Sequence, residues 1–164
     1  MHHVFLGIGG NIGNKPANFR KVHQIIGSQI GEISEKSSVY ESPPWGFQAD
    51  DNFWNQVLKL DTMLTPTEIL SEINKMESSF NRNRHSERYS SREMDVDILY
   101  YDDIFIETDD LIIPHPRLHQ RLFVLVPLTE IAPGFKHPLL RMTSKKLLEN
   151  CKDESVIKKL DVSF

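Results

Sequence analysis

The chain has 164 residues, 39% hydrophobic and 26% charged, enough for one globular domain (1–164) with its own core. A net charge of −4 with a pI near 6.0 argues against a general nucleic-acid binder, and the single cysteine, Cys151, excludes an internal disulfide. The apolar run at 4–8 is too short for a membrane span or a signal-peptide core, so a soluble cytoplasmic protein is expected.

Residues 3–8 predict a first strand that ends at Gly9-Gly10-Asn11. A helix follows from about Pro16, with Asn14 as its cap and Phe19, Val22 and Ile26 along one face. A second strand is expected over 33–41, and the Ser42-Pro43-Pro44-Trp45-Gly46 run must be irregular. Residues 53–61 alternate as a third strand, with Phe53, Asn55 and Val57 on one face and Trp54, Leu58 and Leu60 on the other. Thr65, Pro66 and Glu68 form a capping box that opens a helix, and Ile69, Ile73, Met76 and Phe80 make its apolar stripe. A strand at 94–100 completes the order βαββαβ. That order predicts an α+β fold with a ferredoxin-like core, extended by a C-terminal strand and helices. Beyond it lie the apolar segment 111–113, the turn Pro114-His115-Pro116, a helix over 122–131, and a tail that reads as helical from Ser144 onward.

The strongest chemical signal is Asp95-Val96-Asp97. Residues two apart in a strand share a face about 6.6 Å apart, so both carboxylates reach one hard cation or a cation pair. Residues 82–92 hold four arginines and one acid, whereas 93–110 hold eight acids and no Lys or Arg. Such a reversal serves either mutual neutralisation or a metal–phosphate site, and the second reading is preferred because phosphate transfer spreads charge over several oxygens. Gly7, Gly9, Gly10 and Gly13 match neither the dinucleotide fingerprint nor a P-loop and are read as a tight strand-to-helix turn. His115 and His119 stand four apart, a spacing that pairs zinc ligands on a helix. Pro116 interrupts them, so a phosphate contact by His115 is favoured and His119 is read as exposed. Phe53 and Asn55, sharing a strand face, offer stacking and hydrogen bonding to a flat heteroaromatic ligand.

Taken together, GGNIGN at 9–14, Ser42-Pro43-Pro44-Trp45-Gly46, Phe53-Trp54-Asn55, Glu77, the spaced Arg82, Arg84, Arg88 and Arg92, the MDVDIL run, Ile113-Pro114-His115-Pro116 and Arg121-Leu122-Phe123 resemble the 6-hydroxymethyl-7,8-dihydropterin pyrophosphokinases of folate biosynthesis. The resemblance runs over about residues 4–138 and leaves the tail from 144 unassigned. It implies transfer of pyrophosphate from ATP to the pterin hydroxymethyl group, releasing AMP. It further implies that Asp95 and Asp97 hold two Mg²⁺ ions, that Arg82 and Arg92 are catalytic, and that Glu77, Arg84, Tyr89, Ile98, His115 and Arg121 bind ATP. The pterin would lie between Phe53 and Phe123, read by Asn55, with Ser42, Pro43 and Trp45 completing its pocket. Tyr89 stands where a tryptophan is familiar, Phe53 lacks the hydroxyl of a tyrosine sometimes seen there, and Pro116 replaces an aromatic residue. The implied partners are two small molecules, with no nucleic acid and no membrane, acting on a monomer.

Two other readings compete. A nucleotidyltransferase would also use an Asp-x-Asp metal site, but here more than eighty residues separate the glycine turn from the acidic strand. A ferredoxin-like RNA-binding module would need aromatics where this chain carries aspartates.

Overall fold

The computed structural model describes residues 1–80 and 93–164. The chain runs β1 (His2–Gly10), α1 (Lys15–Gln29), β2 (Glu32–Lys36), β3 (Tyr40–Ser42), β4 (Phe53–Thr62), α2 (Pro66–Ser78), β5 (Asp95–Tyr101), β6 (Ile106–Glu107) and β7 (Ile112–Ile113). A 3₁₀ turn (Leu118–Gln120), α3 (Leu122–Ile131), α4 (Ser144–Asn150) and β8 (Lys158–Lys159) follow. The main sheet is antiparallel in the order β5-β1-β4-β3-β8, and β2 joins the same edge of β4 as β3. This is the split βαβ arrangement expected of a ferredoxin-like core, with β6 and β7 as a separate ribbon. Among the described residues no helix is long and apolar enough to cross a membrane.

Both expected helix starts form. Asn14 Oδ1 accepts the Ala17 N–H at 3.1 Å. At α2, Thr65 Oγ1 accepts from Glu68 N and the Glu68 carboxylate accepts from Thr65 N at 2.8 Å.

The strand alternation separates two cores. Val4, Leu6, Ile8, Leu58, Leu60, Val96 and Ile98 meet Phe19, Val22, Ile26, Ile69, Ile73 and Met76 of α1 and α2. On the opposite face Phe5, Val57 and Tyr100 pack with Leu118, Leu125 and Leu128 near α3 and Leu147 of α4. Register shifts between Phe5 and Leu6, which face Tyr100 and Ile98 respectively, so Leu99 is unopposed. This bulge turns both Leu99 and Tyr100 toward the α3 face.

Two expectations are corrected. The strand over 33–41 is broken at Ser37, whose hydroxyl takes the Val57 N–H at 2.9 Å in place of a backbone acceptor. The first strand ends at Gly10, within the expected Gly9-Gly10-Asn11 terminus. Gly10 is required there because a Cβ would lie 1.9 Å from the Glu93 carbonyl oxygen. The tail is helical only to Asn150. Asp153 then bonds Ser155 through backbone and side chain, which competes with continuing the helix, and Lys158–Lys159 pairs with β3.

Candidate active site

A cleft of about 370 Å³ opens on the α3 face of the sheet. Its floor is β1, where Gly7 and Gly9 present no side chain. The register sets Gly9 between Asn55 of β4 and Asp95 of β5, and Gly7 between Val57 and Asp97. Two glycines in the middle strand therefore make a trough, with an amide and an aromatic ring on one bank and two carboxylates on the other. Their role is in the strand rather than in a turn.

On the first bank Asn55 is 5% exposed, and its Nδ2 donates to Ser42 Oγ at 2.8 Å and to the Tyr40 carbonyl at 3.3 Å. A carbonyl only accepts, so the amide orientation is fixed and Oδ1 is turned toward Gly9, 3.1 Å from the position a Cβ would take. Phe53 is half-buried and meets Phe47 edge to face at 5.9 Å. The buried Arg121 holds its guanidinium over two rings, 4.6 Å from the Trp45 centroid and 5.4 Å from that of Phe123. Ser42, Pro43, Trp45, Phe53, Asn55 and Phe123, expected around a flat ligand, all line this cleft.

The second bank belongs to β5, which among the described residues pairs with β1 alone along one edge. Glu77 of α2 is buried and accepts the Val96 N–H at 3.0 Å, while the His115 N–H donates to the Leu99 carbonyl at 3.0 Å. His115 Nδ1 accepts the Arg117 N–H at 3.1 Å, which puts the ring proton on Nε2. Asp95, Asp97, Glu77, His115 and Arg121 all line the cleft; Ile98 does not, because its side chain is 5% exposed in the α1–α2 core. In an antiparallel ladder, however, Ile98 directs its backbone groups the same way as Val96, out of the other edge. It borders a second cleft of about 270 Å³ there with Leu70, Leu111 and Ile112, continuous with the first through Asp97 and His115.

The remaining expected residues, Arg82, Arg84, Tyr89 and Arg92, lie outside the described residues. His119 is neither on an α-helix with His115 nor fully exposed. It sits half-buried in the 3₁₀ turn, near enough to His137 to help lower its pKa, so the helical i, i+4 geometry that would pair the two rings is not formed.

Residues 5–133 match the family model for 7,8-dihydro-6-hydroxymethylpterin-pyrophosphokinase. The chain belongs to this family. It is 40% identical over 158 residues to the 2-amino-4-hydroxy-6-hydroxymethyldihydropteridine pyrophosphokinase of Aquifex aeolicus, covering 96% of this chain and 95% of that protein. It is also 38% identical to the folic acid synthesis protein FOL1 of Dictyostelium discoideum, covering 90% of this chain but 22% of that larger protein. The fold matches a crystal structure of Plasmodium falciparum HPPK-DHPS with pteroate at a TM-score of 0.75 and 14% identity, covering 90% of this chain and 44% of that one. Its activity is pyrophosphoryl transfer to hydroxymethyldihydropterin, a step of folate biosynthesis.

For a pyrophosphokinase, Asp95 and Asp97 offer the hard oxygen donors that Mg²⁺ prefers, beside a floor with room for phosphate oxygens and water. Among the described residues no group of three or more His, Cys, Asp or Glu converges on one point. The donor set fits Mg²⁺. Sequence reasoning missed Gly7, Gly9, Phe47 and Asn74, which also line the cleft. The glycines carried a legible signal, an i, i+2 spacing in a strand that matches the spacing of the aspartates. Asn74 lies one helical turn before Glu77, whereas nothing in the sequence marks Phe47.

Proposed function

We propose that the protein takes the pyrophosphoryl group from ATP, that Asp95 and Asp97 hold two Mg²⁺ ions, and that the dihydropterin lies in the glycine-floored slot between Phe53 and Phe123. The observation that carries this reading is one continuous cleft joining an aromatic and amide bank to a carboxylate bank. A neutral flat bicycle needs stacking and directional hydrogen bonds, and Asn55 Oδ1 is an acceptor suited to a pterin N–H. A triphosphate needs cationic and N–H donors, and the Nε2–H of His115 and the guanidinium of Arg121 are such donors. The apolar slot beside Ile98 suits a purine base, with a backbone donor and acceptor for its edge. This assigns Ile98 a contact through its main chain.

In the reaction the pterin hydroxyl oxygen attacks the β-phosphorus of ATP, and the bond from that phosphorus to the α–β bridging oxygen breaks. AMP leaves with the bridging oxygen, and the hydroxyl proton passes to solvent. Bound Mg²⁺ would supply positive charge against the phosphate oxygens. Arg82 and Arg92 would stabilise the charge that shifts onto the moving group, with Arg84 and Tyr89 as further ATP contacts. The protein's role is positioning: stacking fixes the nucleophile, and His115 and Arg121 hold the phosphates in line with it.

The test is a product assay with purified protein, Mg²⁺, ATP and 6-hydroxymethyl-7,8-dihydropterin, resolving AMP from ADP. AMP formed in step with pterin diphosphate, lost on chelation and restored by Mg²⁺, is expected. ADP would refute the reaction type, and unchanged turnover in chelator would refute the metal assignment. The same reading has a cytoplasmic monomer acting on these small molecules, checked by light scattering at 19.0 kDa.

A further inference from the structure

The tail beyond α4 reaches the wall of the pterin slot. Asp153 Oδ2 accepts the Leu122 N–H at 3.0 Å, and Leu122 is the first residue of α3. The helix has no side-chain cap of its own, because Arg121 at the cap position makes no capping hydrogen bond. An uncapped helix start leaves N–H groups without partners and carries partial positive charge, so a carboxylate brought from thirty-one residues away serves as a remote cap. The carboxylate is itself fixed: its Oδ1 accepts from Ser155 N at 2.9 Å and Ser155 Oγ at 2.5 Å. Burial alone would raise its pKa. The bonds from Ser155 and Leu122 outweigh that and hold it below the ordinary aspartate range, so it stays ionised at neutral pH.

The residue so anchored stands between two that line the cleft. Arg121 precedes Leu122 and Phe123 follows it, and the Arg121 guanidinium lies against the Phe123 ring. We propose that Asp153 is a positioning residue for the pterin. By pinning the first turn of α3, it sets the spacing of Phe123 and Arg121 from the opposite wall. This inference rests on the pterin slot assigned above. It gives the otherwise unassigned tail a part in substrate recognition rather than in chemistry, since Asp153 is not itself among the residues lining the cleft.

The test compares wild type, Asp153→Ala, Asp153→Asn and Thr65→Ala by steady-state kinetics and thermal melting. Thr65 caps α2 and lines neither cleft, so its variant loses a helix cap without approaching the pterin. Asp153→Ala is expected to raise the pterin KM by about tenfold, because sub-ångström misplacement of a binding group costs that much or more. Its ATP KM should rise by a smaller factor, through Arg121, while the pterin KM takes the larger change through Phe123. Asp153→Asn keeps one acceptor and should recover most of the loss. Thr65→Ala should lower Tm, as loss of a helix cap does, with an unchanged pterin KM. A pterin KM within twofold of wild type in Asp153→Ala overturns the inference, as does an equal rise in Thr65→Ala. Should Asp153→Ala not fold, Asp153→Leu keeps the volume without an acceptor, and the same criterion applies. Absence of pterin turnover in wild type would instead refute the proposed function, so the two failures are distinct.

Discussion

Adding one methyl to the cleft floor tests where Asn55 stands against the pterin. In Gly9→Ala the new Cβ would lie 3.1 Å from Asn55 Oδ1 and 3.2 Å from the Trp54 carbonyl oxygen. The carbonyl belongs to the strand beside β1, so the Asn55 amide must give way. Overpacking of this kind costs about 1–3 kcal/mol, partly offset by about 0.4–1 kcal/mol from the stiffer unfolded chain. A net loss of about 1–2 kcal/mol lowers Tm by roughly 2–8 °C in a domain of this size. Displacing Asn55 Oδ1 should raise the pterin KM about tenfold, equivalent to about 1.4 kcal/mol, with the ATP KM little changed. Gly7→Ala is the matched control. Its Cβ meets only Leu99 side-chain carbons at 3.5–3.7 Å, an ordinary contact, so Tm should hold or rise by about 1–4 °C. Steady-state kinetics with each substrate varied, plus calorimetry, reads both effects. A pterin KM in Gly9→Ala within twofold of wild type, or no larger than in Gly7→Ala, refutes the placement of Asn55 against the pterin.

Other outcomes follow from individual contacts. Asp97→Ala should lower kcat by about a thousandfold or more with a native circular dichroism spectrum, because a metal-holding carboxylate acts on the barrier; near-normal turnover would remove Asp97 from the metal site. Thr65→Ala should cost about 0.5–2 kcal/mol through loss of the capping box, read as a Tm drop of roughly 1–8 °C. His137 is buried, with its Nδ1 accepting the Leu139 and Leu140 N–H groups, and burial together with the nearby His119 lowers its pKa below 6.5. The unfolded chain therefore binds the proton first, so this contribution is whole above pH 6.5 and declines as pH falls below it. His137→Asn, which keeps an acceptor without titrating, should flatten the fall in Tm between pH 7.5 and 5.5; an unaltered slope would assign that fall elsewhere.

The elements set by local chemistry were legible in the sequence. The Asn14 cap and the Thr65–Glu68 capping box use residues within one turn, and both formed as read. The period-two pattern of β4 put Phe53, Asn55 and Val57 on one face, and these three line the cleft. What escaped were features depending on distant partners. Ser37 breaks a strand because its hydroxyl finds Val57 twenty residues on. The sequence alone suggests a turn at the glycines of β1, because only the pairing register shows a groove between two neighbouring strands. Ile98 was assigned by resemblance, and only the topology distinguishes its buried side chain from its outward-facing backbone. The tail carried no motif because Asp153 acts on a helix thirty-one residues earlier.

The alternation of the central strands has an engineering consequence. Phe53 and Asn55 interleave with Trp54 and Leu58, and Asp95 and Asp97 with Val96 and Ile98, so the cleft and the α1–α2 core occupy opposite sides of the sheet. A library randomised at Phe53 and Phe123 explores ligand shape while the α1–α2 core keeps its packing. Phe53 is the freer of the two positions, because Phe123 also packs against the second core.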